Sequence, residues 1–481
     1  MSYLQSWLYE ASITNLRPAR GRAQWLRVAR LFLLAAMLPG CAMLPEVEEE
    51  QALVHPQDVA FEGRDGPVSE ARADRVIAKL EGPAGATDIL DKHLAYAQSL
   101  DADSPLVLGN QVQLLQNGPD TYEAMFAAIR QARDHINLET FIFDDDAVGH
   151  RFADLLLERQ AEGVQVNVIY DSVGAIATPP AFFHRMREGG IRAVEFNPVS
   201  PLNAETRFWR LNNRDHRKQL VIDGRIVFIG GINISDSYSS APSRLDPEPD
   251  LEGGWRDTHV RIEGPVVAEF QKLFLDTWER QTGKLLSDRE YFPPLKAEGG
   301  DIVRALGDSP TDDSSPMYLT LMSVIGHAER SIDLTIAYFG PDEQLLTALT
   351  DAAQRGVAVR LILPSRTDAW SVFHLGRSHY ARLLKGGVEI YERRGAVQHA
   401  KTGVVDGVWS TVGSTNMDWR SFLHNDEINA MILGRRFAAE MAQVFEQDLK
   451  DSDRIELEKW RQRSWLLRIK EQAARLGAYW L

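Results

Sequence analysis

The stretch His216-Arg217-Lys218-Gln219-Leu220-Val221-Ile222-Asp223-Gly224, which runs on to Gly230-Gly231-Ile232-Asn233, returns later as His399-Ala400-Lys401-Thr402-Gly403-Val404-Val405-Asp406-Gly407, running on to Gly413-Ser414-Thr415-Asn416. In both copies the lysine stands two residues after the histidine, the aspartate five after the lysine, and the glycine seven after the aspartate. A lone His-x-Lys carries almost no information. Two copies with matched Asp and Gly spacing, one in each half of a 481-residue chain, point to one active site assembled from both halves.

The apolar and β-branched runs after each lysine read as strands, so the His and Lys of a copy share one strand face. Asp223-Gly224 and Asp406-Gly407 read as hairpin turns. The glycine pair, and Gly-Ser in the second copy, let the backbone and Asn233 or Asn416 approach a bound group closely.

Outside the motifs the halves also run in parallel. Helix 121–132, strand 136–143, helix 150–160, strand 164–170, helix 180–187 and strand 191–196 are matched by helix 317–330, strand 332–339, helix 343–354, strand 357–363, helix 380–385 and strand 388–391. After the motifs, helix 266–280 corresponds to 437–448. Strands alternating with helices of about a dozen residues predict an α/β sheet covered by helices. Duplication explains the parallel order, with a first half over 105–300 and a second over 301–450. The first half needs a longer excursion, placed at 198–212. A Ser, Pro and acid-rich segment, 236–254, has no partner in the second half.

Composition bounds the function. Apolar residues make up 44% and charged residues 25%, as in an ordinary folded protein. The net charge of -15 argues against nonspecific nucleic-acid wrapping and against simple adsorption to anionic lipid. Cys41 is the single cysteine, so intrachain disulfides and Cys-based zinc sites are excluded.

Upstream of Cys41 lie Arg17, Arg20, Arg22, Arg27 and Arg30 against the single acid Glu10, then the apolar run 31–38 and Pro39-Gly40. This order is that of a secretory signal over 1–40 rather than of a spanning helix. The stretch resembles a bacterial lipoprotein signal, which implies that Cys41 is lipidated and becomes the first residue. Loss of five arginines and one glutamate would move the net charge from -15 to -19. The expected setting is the bacterial cell envelope, membrane-anchored and facing the periplasm. Residues 42–104 read as an acidic tether followed by helices. The tail 451–481, where Trp460, Trp465 and Trp480 alternate with Arg461, Arg463 and Arg468, reads as an amphipathic helix that either packs on the core or sits at a lipid interface.

Two histidines, two lysines and two asparagines converging on one point make a cationic pocket that works without metal or cofactor. That suits a phosphodiester, whose nonbridging oxygens gather charge in the transition state. One imidazole attacks phosphorus and the other protonates the leaving oxygen, then deprotonates the acceptor. The candidate catalytic set is therefore His216, Lys218, Asp223, His399, Lys401 and Asp406, with Asp223 and Asp406 expected to brace their turns. Asn233, Asn416 and Ser414 are expected at the phosphate. Asp257 and Glu427, at comparable places after the two motifs, are expected to orient the histidine rings.

The repeated motif resembles the signature of the phospholipase D superfamily over residues 105–450. The strand Glu139-Thr140-Phe141-Ile142-Phe143, the stretches 168–174 and 212–218, and Phe228 to Asn233 resemble bacterial cardiolipin synthases, most of all the cardiolipin synthase C branch. The resemblance implies two duplicated α/β halves, each a mixed sheet flanked by helices, with one active site shared at their interface. It also implies phosphatidyl transfer through a phosphohistidine, with His216 as nucleophile, His399 as acid and base, and the lysines and asparagines on the phosphate. Phospholipids and a membrane surface are then the expected partners, with no nucleic acid, and the sequence leaves an accessory protein and the oligomeric state open. A hydrolytic phospholipase D differs only in taking water as acceptor. A nuclease of the same chemistry would want a basic face, and a noncatalytic binding protein would not need both motifs whole.

Overall fold

In the computed structural model, strand β1 (Val107–Gln116) joins two sheets of one design. The structure describes residues 60–63, 66–69, 71–73, 75–76, 89–90, 92–94, 97, 104–200, 210, 212–242, 254–312 and 315–477, together with residue 44. Cys41 and the signal stretch, most of the tether, and residues 201–209 and 211 of the expected excursion lie outside the described residues. Val47–Leu481 forms a single compact unit, and the account below concerns that unit.

The first half continues with α1 (Asn117–Gln131), β2 (His135–Thr140), α2 (Ala147–Ala161), β3 (Gln165–Asp171), α3 (Pro180–Glu188) and β4 (Arg192–Phe196). Then come β5 (Lys218–Ile222), β6 (Ile226–Gly230), β7 (Thr258–Glu263) and α4 (Val267–Thr282). Across the sheet the order is β1-β7-β6-β5-β2-β3-β4, antiparallel up to β2 and parallel through β2, β3 and β4.

The second half repeats this with β8 (Asp301–Asp308), α5 (Pro316–His327), β9 (Ser331–Ile336), α6 (Glu343–Gln354), β10 (Ala358–Pro364), α7 (Trp370–Lys385) and β11 (Glu389–Arg393). It continues through β12 (Lys401–Val405), β13 (Trp409–Gly413), β14 (Asn425–Leu433) and α8 (Arg435–Lys450). The order β8-β14-β13-β12-β9-β10-β11 is that of the first sheet, extended at its edge by β15 (Ser452–Arg454). The fold is thus two α/β halves, each a mixed sheet flanked by helices.

Helix α7 begins ten residues before the expected Tyr380: Ser371, Gly376 and Ser378 break up the apolar spacing of Val372, Leu375 and Tyr380, which the helix buries. The tail folds as α9 (Leu457–Arg461) and α10 (Trp465–Arg475) rather than as one helix.

The motif strands β5 and β12 are buried along their whole length, as befits central strands covered on both faces. Their neighbours form a core to which both halves contribute, with Val221, Ile229, Val260 and Phe270 from the first and Val404, Val412, Ile428 and Phe437 from the second. Each such side chain contributes about 1.5–3 kcal/mol through burial. Apolar packing of this kind fixes the two motif strands relative to each other.

Both hairpins have the expected form. Asp223 and Gly224 take φ of 52° and 59°, and Asp406 and Gly407 take 53° and 66°, the left-handed pair that a type I′ turn demands.

Candidate active site

Each histidine stands two residues before its lysine, just ahead of β5 or β12, and is held by a strand of the opposite half. Arg214-Asp215 pairs in parallel with Asn425-Asp426, and Arg256 bridges Gln398 in the same sense. The His216 N–H donates to the Asp426 carbonyl at 2.9 Å, and the His399 N–H donates to the Arg256 carbonyl at 2.8 Å. In both cases the next residue on the facing strand is the carboxylate. Glu427 approaches His216 Nδ1 to 2.9 Å, and Asp257 approaches His399 Nδ1 to 2.8 Å. Each ring therefore faces a carboxylate from the other half through Nδ1, which leaves Nε2 as the nitrogen on the side away from that carboxylate.

The lysines close in beside the rings. Lys218 Nζ donates to the His216 carbonyl at 2.6 Å, and Lys401 Nζ donates to the His399 carbonyl at 2.5 Å while lying 3.0 and 3.1 Å from the two ring nitrogens of His399. All four side chains are buried. Burial favours neutral forms, and it acts here on groups of both signs. It pushes Lys218 down to about 7, against the pull of the Glu427 carboxylate, and Lys401 down to about 8, against Asp257 and Glu427. It pushes Glu427 up to about 7, opposed by Lys218 and by hydrogen bonds from Ser414 and Asn425. His216 is held well below its usual range by burial, then by Lys218, Lys401 and the other histidine. The charges of the second half thus reach the histidine of the first, and His216 is kept as a neutral ring.

Asn233 and Asn416 occupy matching places. The Asn233 Oδ1 accepts from the Ile142 N–H at 3.2 Å, and the Asn416 Oδ1 accepts from the Tyr338 N–H at 3.3 Å. With the carbonyl oxygens taken by backbone, the amide NH2 groups are what these residues can offer an anion.

Ser414 departs from expectation. Its hydroxyl donates to Glu427 at 2.5 Å and accepts from the Ile428 N–H at 2.9 Å, so it holds the carboxylate rather than a phosphate. The matching Gly231 could not do the same, because a Cβ there would lie 2.3 Å from Asp257 Oδ1.

Asp223 and Asp406 lie at the far end of the motif strands, about 16 Å along the strand from the lysines at 3.3 Å per residue. Asp223 accepts from the N–H groups of Arg133, Asp134 and His135 at 2.9, 2.8 and 3.1 Å. Asp406 accepts from Glu329, Arg330 and Ser331 at 3.0, 2.7 and 3.0 Å, and His93 Nε2 adds a fourth contact at 2.9 Å. These aspartates hold the turn and the start of the neighbouring strand, the bracing role expected of them within the motif set, and they touch neither His216 nor His399.

Other residues, to which the sequence reading gives no role, join the site. Tyr238 Oη lies 3.1 Å from His399 Nδ1 and accepts from Asn233 Nδ2 at 3.2 Å, linking the asparagine of one half to the histidine of the other. Phe141 packs edge-on against His216, and Tyr338 and Trp255 pack against His399. Arg217, the middle residue of the first motif, donates to the carbonyls of Glu427 and Asp308 and to Thr277 Oγ1, at 3.0, 3.0 and 2.8 Å. It pins the backbone that carries Glu427. Its counterpart Ala400 has no such means, and there Arg256 pairs with Asp448 at 2.9 Å instead.

A duplicated α/β fold with a buried His and Lys from each half at one centre is the arrangement of a phospholipase D-type enzyme, and the relatives of this chain make it one of the transferases. The chain belongs to the family described as cardiolipin synthase, PLD-like domain, whose pattern matches residues 125–273 and 321–449. Among curated relatives, cardiolipin synthase of Geobacillus sp. (strain WCH70) is 36% identical over 376 residues, 78% of this chain and 73% of its own. Cardiolipin synthase A of Pseudomonas putida is 36% identical over 376 residues, 77% of this chain and 75% of its own. The crystal structure of phosphatidylserine synthase from Haemophilus influenzae Rd KW20 superposes with a TM-score of 0.61 at 13% identity, over 81% of this chain and 100% of that one. That last likeness is one of fold alone.

Proposed function

We propose that this protein is a cardiolipin synthase-like phosphatidyltransferase of the cardiolipin synthase C branch, moving a phosphatidyl group from phosphatidylglycerol or phosphatidylethanolamine to the glycerol hydroxyl of a second phosphatidylglycerol. The observation that carries the reading is the crossed pairing of each histidine with a carboxylate of the other half, which equips two rings at one centre for a two-step displacement.

In the first step His216 Nε2 attacks phosphorus, forming the P–N bond as the bond to the headgroup oxygen breaks. His399 supplies the proton to that oxygen, and glycerol or ethanolamine leaves. In the second step His399 takes the proton of the acceptor hydroxyl, whose oxygen displaces His216 from phosphorus. Glu427 holds His216 as the tautomer with its lone pair on Nε2. Lys218, Lys401 and the amide groups of Asn233 and Asn416 bind the nonbridging oxygens, which gain charge in each transition state.

The proposed setting is the bacterial envelope, facing the periplasm, with an anchor at Cys41, a reading supported by the basic, apolar and small-residue order of the stretch before that cysteine. Among the described residues no helix is long and apolar enough to cross a membrane. Metabolic acyl labelling checks the anchor: label is expected on the intact chain and absent from Cys41→Ala.

The reaction is tested with vesicles of phosphatidylethanolamine and phosphatidylglycerol whose headgroups carry different labels. Cardiolipin, released together with labelled glycerol or ethanolamine, is expected, and the released label identifies the donor. Phosphatidic acid as sole product would replace the reading with a hydrolytic phospholipase D.

A further inference from the structure

Helix α10 rests on the protein through Glu471 and Ala474, which are buried. Its opposite side is apolar and open: Trp465, Leu466 and Ile469 are 67%, 55% and 55% exposed, and Leu476, just past the helix, is 91% exposed. Trp465, Ile469 and Leu476, at i, i+4 and i+11, share one stripe of a 3.6-residue helix. Arg468 and Arg475 flank that stripe on one side and Lys470 on the other. Over residues 461–476 five basic side chains face the single acid Glu471, a net of +4 in a chain whose total is -15. Glu471 is itself held by Arg463 through contacts of 2.8 and 2.5 Å.

We propose that this helix is an interfacial anchor that lies on an anionic phospholipid bilayer and brings the active-site rim to it, an inference that rests on the lipid-transferase reading above. An apolar stripe between basic flanks is the form of a helix that sinks into the headgroup boundary while its long basic side chains reach anionic lipid. A second copy of the chain is disfavoured as occupant, since two patches of +4 would face each other.

The helix is tied to the chemistry by a short chain of contacts. Helix α10 packs along α7, the helix that carries His374. The His374 ring packs 4.7 Å from that of Trp370, which is 44% exposed. Two residues earlier Asp368 accepts from Tyr338 Oη at 2.6 Å, and the Tyr338 ring lies 5.8 Å from that of His399. A bilayer seated on α10 would therefore lie on the side of α7 from which Trp370, Asp368 and Tyr338 lead to His399.

Hydrogen exchange of the full chain, with and without phosphatidylglycerol vesicles, tests the surface apart from the chemistry. Residues 461–476 are expected to gain protection with anionic vesicles and not with neutral phosphatidylcholine ones. A triple variant Trp465→Ser, Leu466→Ser, Ile469→Ser is expected to lose about tenfold or more of its turnover on vesicles. Its turnover on detergent-dispersed lipid should stay within about twofold of wild type, because detergent delivers lipid without a bilayer. Equal protection by neutral vesicles, no protection at all, or full vesicle turnover by the triple variant would overturn the proposal. So would loss of a dimer in the variant, which would give the face to a second copy. A wild-type chain that is protected by anionic vesicles but makes no product in either medium would keep the surface and remove the transferase reading.

Discussion

His216 and Glu427 stand 211 residues apart in the chain, in opposite halves, yet the imidazole Nδ1 and the carboxylate lie 2.9 Å apart. The same relation joins His399 to Asp257 in reverse. Neither half carries a complete histidine pair, so the two sheets must be held in register for either ring to be oriented. Arg217, bound to the backbone of Glu427, and the shared apolar core do that holding.

If Glu427 acts only through His216, the two are one unit in a mutant cycle. Glu427→Gln is expected to lower kcat on the order of 10³–10⁴-fold. In a His216→Ala background the same change should add almost nothing. Steady-state turnover of the four proteins, each checked by circular dichroism, measures this; full additivity would mean that Glu427 works elsewhere.

The pH profile of kcat/KM reports the free enzyme. A group with a depressed pKa is protonated only below that value, so Lys218 at about 7 and Lys401 at about 8 lose their charge as pH rises through that range. The lysines therefore end the alkaline side no higher than pH 7 to 8, well below the value near 10.4 of an ordinary lysine, and the proton that His399 gives the leaving oxygen, which burial and then Lys401 make easier to lose than that of an ordinary imidazole, is lost earlier still. Burial holds His216 neutral down to low pH, so the acid limb is expected below the ordinary histidine value of about 6.5. An alkaline limb above pH 9 would remove the lysines from the phosphate.

Asp406 sits apart from the chemistry but not from stability. Burial raises its pKa, yet the bond from His93 and the N–H groups of Glu329, Ser331 and Arg330 outweigh that and bring it to about 2, against an ordinary 3.8. The stability it contributes is present above its unfolded value and is lost as pH falls through the folded one, a window from roughly pH 4 to 2. Asp406→Ala leaves three N–H donors orphaned and is expected to cost about 3 kcal/mol in urea unfolding. Turnover per folded molecule should change by less than about tenfold, unlike that of a residue within the oxyanion clamp.

Gly231 and Ser414 hold equivalent places with opposite demands. Gly231→Ser is expected to displace Asp257 and reduce turnover by about 10² or more, since a carboxylate shifted by an ångström no longer holds its ring. Ser414→Ala removes one hydrogen bond to Glu427, worth about 1.5–3 kcal/mol to a charged acceptor, and its loss in kcat should be the smaller of the two. Parallel kinetics on both variants check the order.

The motif spacing revealed the duplicated α/β fold, because strand period, turn chemistry and small residues all recur at fixed offsets in both copies. Asp257 and Glu427 stand out in the sequence as candidate ring partners, since each is a carboxylate at a comparable place after its motif; Asp257 lies just ahead of β7 and Glu427 among the first residues of β14. Their crossing does not, because sequence order carries no sign of which strand lies against which in space. In the sequence Ser414 suits a phosphate equally well, since a hydroxyl beside a glycine can meet an anion, and only the fold puts it 2.5 Å from Glu427. Tyr238 stays hidden for a related reason: it reaches His399 from a 3-10 turn at Asp236–Tyr238, in a segment with no repeat to mark it.

The measurement to make first is rapid quenching of the enzyme with phosphatidylglycerol, followed by peptide mass spectrometry under alkaline conditions that preserve a P–N bond. One phosphatidyl group is expected on His216, present within a turnover, lost on acid treatment and absent from His216→Ala. An adduct on His399 would exchange the two roles. The absence of any adduct, together with normal turnover in His216→Ala, would end the two-histidine account.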